Sequence, residues 1–85
     1  MSWNYRVMKR IFDLVSGKKE TQYAIYEVYY NKRGQVEAWS AEPMYVCGET
    51  IRELKNDFEY YARAFEKPVL DYNKLEKKFA KRNKK

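Results

Sequence analysis

Gly48-Glu49-Thr50-Ile51-Arg52-Glu53-Leu54, running on through Phe58 to Phe65, decides how the chain is read. Thr50 has the right chemistry for a helix N-cap, since its hydroxyl can accept from a first-turn N–H. Glu53, three residues on, has the spacing of a capping box. Ile51, Leu54, Phe58, Tyr61, Ala62 and Phe65 then recur at three- and four-residue intervals, which places them on one side of a 3.6-period helix. Arg52, Lys55, Asn56, Asp57, Glu59 and Arg63 fall on the other side. Pro68 disfavours helical backbone in the residue before it, so the helix is expected over residues 50–66. An amphipathic helix needs an apolar surface, and the residues upstream read as a sheet that supplies one.

Residues 3–12 alternate, with Trp3, Tyr5, Val7 and Ile11 on one side and Asn4, Arg6 and Arg10 on the other. This is the period of a strand. Residues 21–30 form the most β-prone window. One row there is Ala24, Tyr26, Val28 and Tyr30; the other is Tyr23, Ile25, Glu27 and Tyr29. The first row is the expected core, because Glu27 would be costly to bury unpaired. The second becomes an exposed aromatic stripe. Asn31 to Gly34 reads as a hairpin loop, Gly34 supplying positive φ. Residues 35–40 make a short third strand carrying Trp39. Pro43 limits residues 44–47 to an edge segment at most. Residues 69–72 read as a short extended piece, a fourth strand or a strap. Asn73 and Glu76 repeat the capping-box spacing and open a short C-terminal helix, held to the body only by Leu75, Phe79 and Ala80.

The fold class is therefore α+β: an antiparallel sheet of three strands, or four, with one amphipathic helix on a face and a short basic C-terminal helix. Residues 1–72 are expected to form the domain and residues 73–85 a basic helix or tail, with disorder beyond Arg82. Charge divides at the same place. Residues 1–72 contain eleven Lys or Arg against eleven Asp or Glu; Lys74, Lys77, Lys78, Lys81, Arg82, Lys84 and Lys85 against Glu76 supply the net +6. A neutral body with a basic appendage is a different object from a basic domain.

Composition excludes several functions. The chain has no His and one Cys, so the usual zinc ligand set and any His-based acid or nucleophile-activating pair are missing. Unpaired Cys47 and the absence of a signal-like apolar start point to the cytoplasm. Asp13, Glu27, Asp57 and Asp71 have no spacing that forces them together, and Cys47 has no evident base. No catalytic, cofactor-binding or metal-binding residue is assigned, and no cofactor is expected.

Two resemblances can be stated. Hairpin strands, a loop ending in Gly48-Glu49-Thr50 and the following amphipathic helix resemble the HicB-type antitoxin domain over residues 23–70. That resemblance implies a truncated ribonuclease-H-like β-β-β-α-β unit without nuclease activity. HicB-type antitoxins commonly add a DNA-binding domain after this unit; only a basic tail follows here. Trp3-Asn4-Tyr5-Arg6-Val7, Glu27-Val28-Tyr29-Tyr30, Ala38-Trp39 and Lys67-Pro68-Val69-Leu70-Asp71 also resemble a group of small bacterial proteins with no activity attached.

The sequence thus leads to a non-enzymatic, dimeric interaction module that binds a protein partner through a tyrosine-rich sheet face or edge, in the manner of an antitoxin or a phage-borne inhibitor. Tyr23, Ile25, Tyr29 and Tyr45 are the candidate partner-binding residues, since two tyrosine rows cannot both face one small core. The alternative is sequence-independent RNA or DNA binding through Lys74, Lys77, Lys78, Lys81 and Arg82, by counterion release from phosphates.

Overall fold

The computed structural model describes the backbone of residues 2–83 and the side chains of residues 2–80. Strands β1 (Ser2–Asp13) and β2 (Lys19–Tyr30) form a long hairpin, and β3 (Val36–Trp39) follows. Helix α1 (Ile51–Ala62) runs into a 3₁₀ turn (Arg63–Glu66), then β4 (Leu70–Asp71), then helix α2 (Tyr72–Asn83). The sheet order is β3-β2-β1-β4. The α+β class is as expected, with one difference: β4 lies parallel to β1, so the four-stranded sheet is mixed.

Local signals were read correctly where they are local. The Thr50 hydroxyl accepts from the Glu53 N–H at 3.1 Å, and α1 begins at the next residue, Ile51. Gly34 has φ of 79°, and its N–H closes the turn onto the Asn31 carbonyl at 3.0 Å. Lys67 is extended before Pro68, as the proline requires.

Cross-strand register fixes which rows share a face. Arg6 pairs with Tyr26 and Met8 with Ala24, whereas Tyr5 pairs with Glu27 and Val7 with Ile25. The row Ala24, Tyr26, Val28 and Tyr30 is the main core, as expected, but its neighbours on β1 are Arg6, Met8 and Arg10. Met8, Tyr26, Val28 and Tyr72 are its buried centre. Arg6 is buried there without a carboxylate; its guanidinium donates to the Tyr30 hydroxyl at 2.9 Å and the Pro68 carbonyl at 2.8 Å. Arg10 lies 3.9 Å over the ring of Tyr72 and 4.6 Å from that of Phe12. Two arginines therefore behave as core elements through their stems and flat heads.

The element covering that core is α2, not α1, and this corrects the sequence reading. Tyr72, Leu75 and Phe79 lie along it, with Trp39 5.1 Å from Phe79 and 6.0 Å from Tyr72 between ring centroids. Tyr72, the last residue of the expected 1–72 domain, is both a buried core residue and the start of α2, so the helix continues directly from the core. The cap also differs. Asp71 accepts from the Lys74 N–H at 3.0 Å and takes the place expected of Asn73. Asn73 instead pairs with the backbone of Ile11, accepting its N–H at 2.7 Å and donating to its carbonyl at 3.1 Å. One side chain thus extends the parallel ladder by a step after β4 has ended. α2 continues through Asn83; the expected disorder of residues 84 and 85 lies outside the described residues.

Candidate interaction surface

Helix α1 lies on the opposite face, over the row expected to be free. It is seated through its C-terminal turns. Tyr60 and Tyr61 meet Tyr5 edge-on at 5.5 and 5.2 Å, Trp3 meets Tyr60 at 5.4 Å, and the Tyr61 hydroxyl donates to the Met44 carbonyl at 2.9 Å. Ala64 of the 3₁₀ turn is fully buried against Val7 and Ile25. The first turn is steadied by the preceding loop. Gly48 comes so close that a Cβ there would stand 2.6 Å from the Leu54 nitrogen, leaving room for glycine alone.

No residue of α1 is buried. Ile51, Leu54, Phe58 and Phe65 retain 82, 39, 58 and 73% of their exposure. Four of the six residues that should have closed the core therefore stay exposed, while Tyr61 and Ala62 are half-buried. An amphipathic helix turned this way leaves a continuous apolar surface, far from the scattered single residues of an ordinary exterior.

The candidate partner-binding residues divide around α1. Tyr23 is exposed and lines a shallow groove of ≈ 410 Å³ with Val7, Ile25, Tyr61 and Phe65. Ile25 forms the groove's floor and is buried, so it is not part of an exposed stripe. Tyr29 is half-buried and donates to the Glu27 carboxylate at 2.8 Å, which resolves the cost of placing Glu27 in this row. Tyr45 is exposed on the other side of α1, beside a hollow of ≈ 770 Å³ shared with Tyr5, Asp57 and Tyr60. Sequence reasoning placed Ile51, Leu54, Phe58 and Phe65 in the core and so missed them as surface. No sequence signal separated them from core, because their spacing and composition are those of a buried helix face.

The environment shifts three tyrosines. Tyr5 is raised above its ordinary pKa, first by burial and then by the charges of Asp57 and Glu27. Burial raises Tyr61, and the hydrogen bond to Glu27 raises Tyr29.

The four carboxylates are not assembled into a site. Asp13 pairs with Lys19 at the hairpin end, Glu27 holds Tyr29, Asp57 accepts from the Cys47 N–H at 3.4 Å, and Asp71 caps α2. Among the described residues no group of three or more His, Cys, Asp or Glu is placed to hold a metal. Cys47 is exposed and in no disulfide. Lys74, Lys77 and Lys78 are exposed on α2; the side chains of Lys81 and Arg82 lie outside the described residues. No described helix is long and apolar enough to cross a membrane. No protein-family model, curated protein or solved structure matches the chain.

Proposed function

We propose that the chain is a non-enzymatic protein-interaction module whose working surface is the apolar side of α1 together with Tyr23. The observation that carries this is the outward stripe Ile51, Leu54, Phe58 and Phe65 on a capped, well-formed helix. A chain this small has little stability to spare, and leaving four large side chains partly in water withholds, at each, the exposed share of the about 1.5–3 kcal/mol that full burial would contribute. A partner recovers it. The element order, three antiparallel strands followed by a helix and a further strand, agrees with the unit implied by the HicB-type resemblance and supports an antitoxin-like or inhibitor-like role.

Sedimentation velocity across a concentration series tests the reading. The expected outcome is an associated species that a Phe58→Asp, Phe65→Asp double variant dissociates while retaining its circular dichroism spectrum. A parent that stays monomeric, and binds no partner that the double variant fails to bind, would remove it.

A second reading is supported by Lys74, Lys77 and Lys78, which stand exposed on α2, within the segment 73–85 whose charges make up the chain's positive excess. Because α2 covers the core, its deletion is a poor test. Replacing Lys74, Lys77, Lys78, Lys81 and Arg82 by Gln and titrating a fluorescent oligonucleotide at two salt concentrations is the better one. Affinity that is steeply salt-dependent and lost in the variant would favour nucleic acid; none at low salt removes it.

A further inference from the structure

We infer that α1 pairs antiparallel with α1 of a second copy of this chain, about a two-fold axis passing beside Phe58; this rests on the interaction reading above and names the partner. Three independent features of the molecule lead there.

The first is the symmetry of the stripe. Phe58 sits at its centre, with Ile51 seven residues before it and Phe65 seven after, and with Leu54 four before and Ala62 four after. An antiparallel two-fold therefore sets Phe58 against its own copy, Ile51 against Phe65, and Leu54 against the small Ala62. Large meets small where ridges must enter grooves, and the same patch serves both chains, as a closed dimer requires.

The second is charge. On the flank beside the stripe the N-terminal half of α1 carries Arg52 and Lys55, and the continuation carries Glu59 and Glu66, with Arg63 between them held over the Tyr60 ring at 5.7 Å. Same flank meets same flank under this two-fold. Lys55 then stands within about 3 Å, along the axis, of Glu59 in the second copy at about 1.5 Å rise per residue, and Arg52 within about 5 Å of its Glu66, which lies on the steeper 3₁₀ turn at about 2.0 Å per residue. The two Glu59 carboxylates approach each other at the centre, each flanked by lysine.

The third is area. A compact monomer of 10.4 kDa exposes about 5,400 Å²; this chain exposes 7027 Å². Its radius of gyration is 14.9 Å, against about 12 Å for a compact chain of this length. A stable dimer covers about 800 Å² per chain, which the surplus accommodates. The competing route, strand addition at the sheet edge, has less to work with. β3 is four residues long, and the chain after it already caps β2, with the Ser40 and Met44 N–H groups bonded to the Glu27 and Ile25 carbonyls.

Placing cysteine at the axis tests this directly. In a Cys47→Ser background, Phe58→Cys should oxidise to a disulfide-linked dimer in mild oxidant, and Arg63→Cys, off the stripe, should not. A charge cycle supplies the second reading without touching the apolar stripe. Lys55→Glu places four carboxylates at the centre and should weaken self-association at least tenfold; Glu59→Lys should do the same with four cations. The double exchange, Lys55→Glu with Glu59→Lys, should restore the parent's dissociation constant to within a few-fold. A parent that self-associates but shows neither the Phe58→Cys cross-link nor charge rescue overturns this pairing and leaves the interaction module standing with another face. A parent that stays monomeric up to millimolar concentration overturns the pairing and moves the module to a foreign partner.

Discussion

The two faces of this sheet receive helices of equal length and opposite fate. Both α1 and α2 span twelve residues. α2 follows β4 with no intervening residue, so Tyr72 is delivered onto the core before the helix has completed a turn, and Asn73 locks it to the edge of β1. α1 is reached through a long irregular segment and is seated by its far end, through Tyr60, Tyr61 and Ala64. The helix with the richer apolar stripe is the less buried. Amphipathicity states what a helix can cover, while the connection decides what it does cover within its own chain.

The largest expected effect separates the two faces by stability. Tyr72→Ala removes a buried ring from contact with Tyr26 and Trp39. Loss of a buried aromatic costs about 3–5 kcal/mol, a large part of the total for a domain of this size. Phe58→Ala, at a concentration where the chain is monomeric, should shift stability by no more than about 0.5 kcal/mol. Urea midpoints for the two variants measure the contrast. Equal losses would mean that α1 is closed over the sheet in solution and that the comparison fails.

An intermediate effect is expected at the joint that seats α2. Asn73→Ala deletes two hydrogen bonds to Ile11 and leaves its N–H and carbonyl without those partners at a part-buried edge. Removing one side of such a pairing costs about 1–3 kcal/mol. Asn73→Asp keeps the acceptor but not the donor and should fall between parent and Ala. If Asn73→Ala equals the parent in chemical denaturation, direct chain continuity from β4, rather than the Asn73 clamp, accounts for the order of this face.

How much of this was legible in the sequence follows the same division. The Thr50 cap, the Gly34 turn, the stop before Pro68 and the burial of Tyr26 and Val28 are consequences of residues within a few positions of one another, and all could be read. The helix that closes the core could not. Alternation shows that one row of β2 is apolar, but not which helix arrives there, and Met8 was hidden between two arginines, one hydrogen-bonded and one stacked on rings, as only the tertiary structure displays. Asp71 and Asn73 are both competent caps at nearly the same spacing. The choice was made by the Ile11 backbone, sixty-two residues upstream of Asn73. The parallel pairing of β4 rests on two residues, too few to carry a pattern. Tyr23 and Tyr45 were legible as exposed aromatics, whereas the surface of α1 was not, because its residues have the composition of a core.

The smallest effect expected is a pH dependence confined to the seat of α1. Tyr5 and Tyr61 meet there at 5.2 Å, and both are held above the ordinary value of 10.0, Tyr5 first by burial and then by Asp57 and Glu27, Tyr61 by burial. A phenol whose folded pKa is raised binds its proton more tightly in the folded chain than in the unfolded one. Stability from this source is therefore fully present below the unfolded value near pH 10 and is lost as pH climbs through the folded values. Ionisation would also place negative charge on Tyr5 beside Asp57, so the seat should loosen before the face under α2 does. Hydrogen exchange near pH 7 and circular dichroism from pH 8 to 11.5, compared between the parent and Tyr61→Phe, follow the two sides separately. The parent should lose α1 helicity before its global transition, and Tyr61→Phe should shift that early loss upward in pH. A single transition, unmoved by Tyr61→Phe, would mean that α1 and the sheet unfold as one unit and that the seat is as firm as the core.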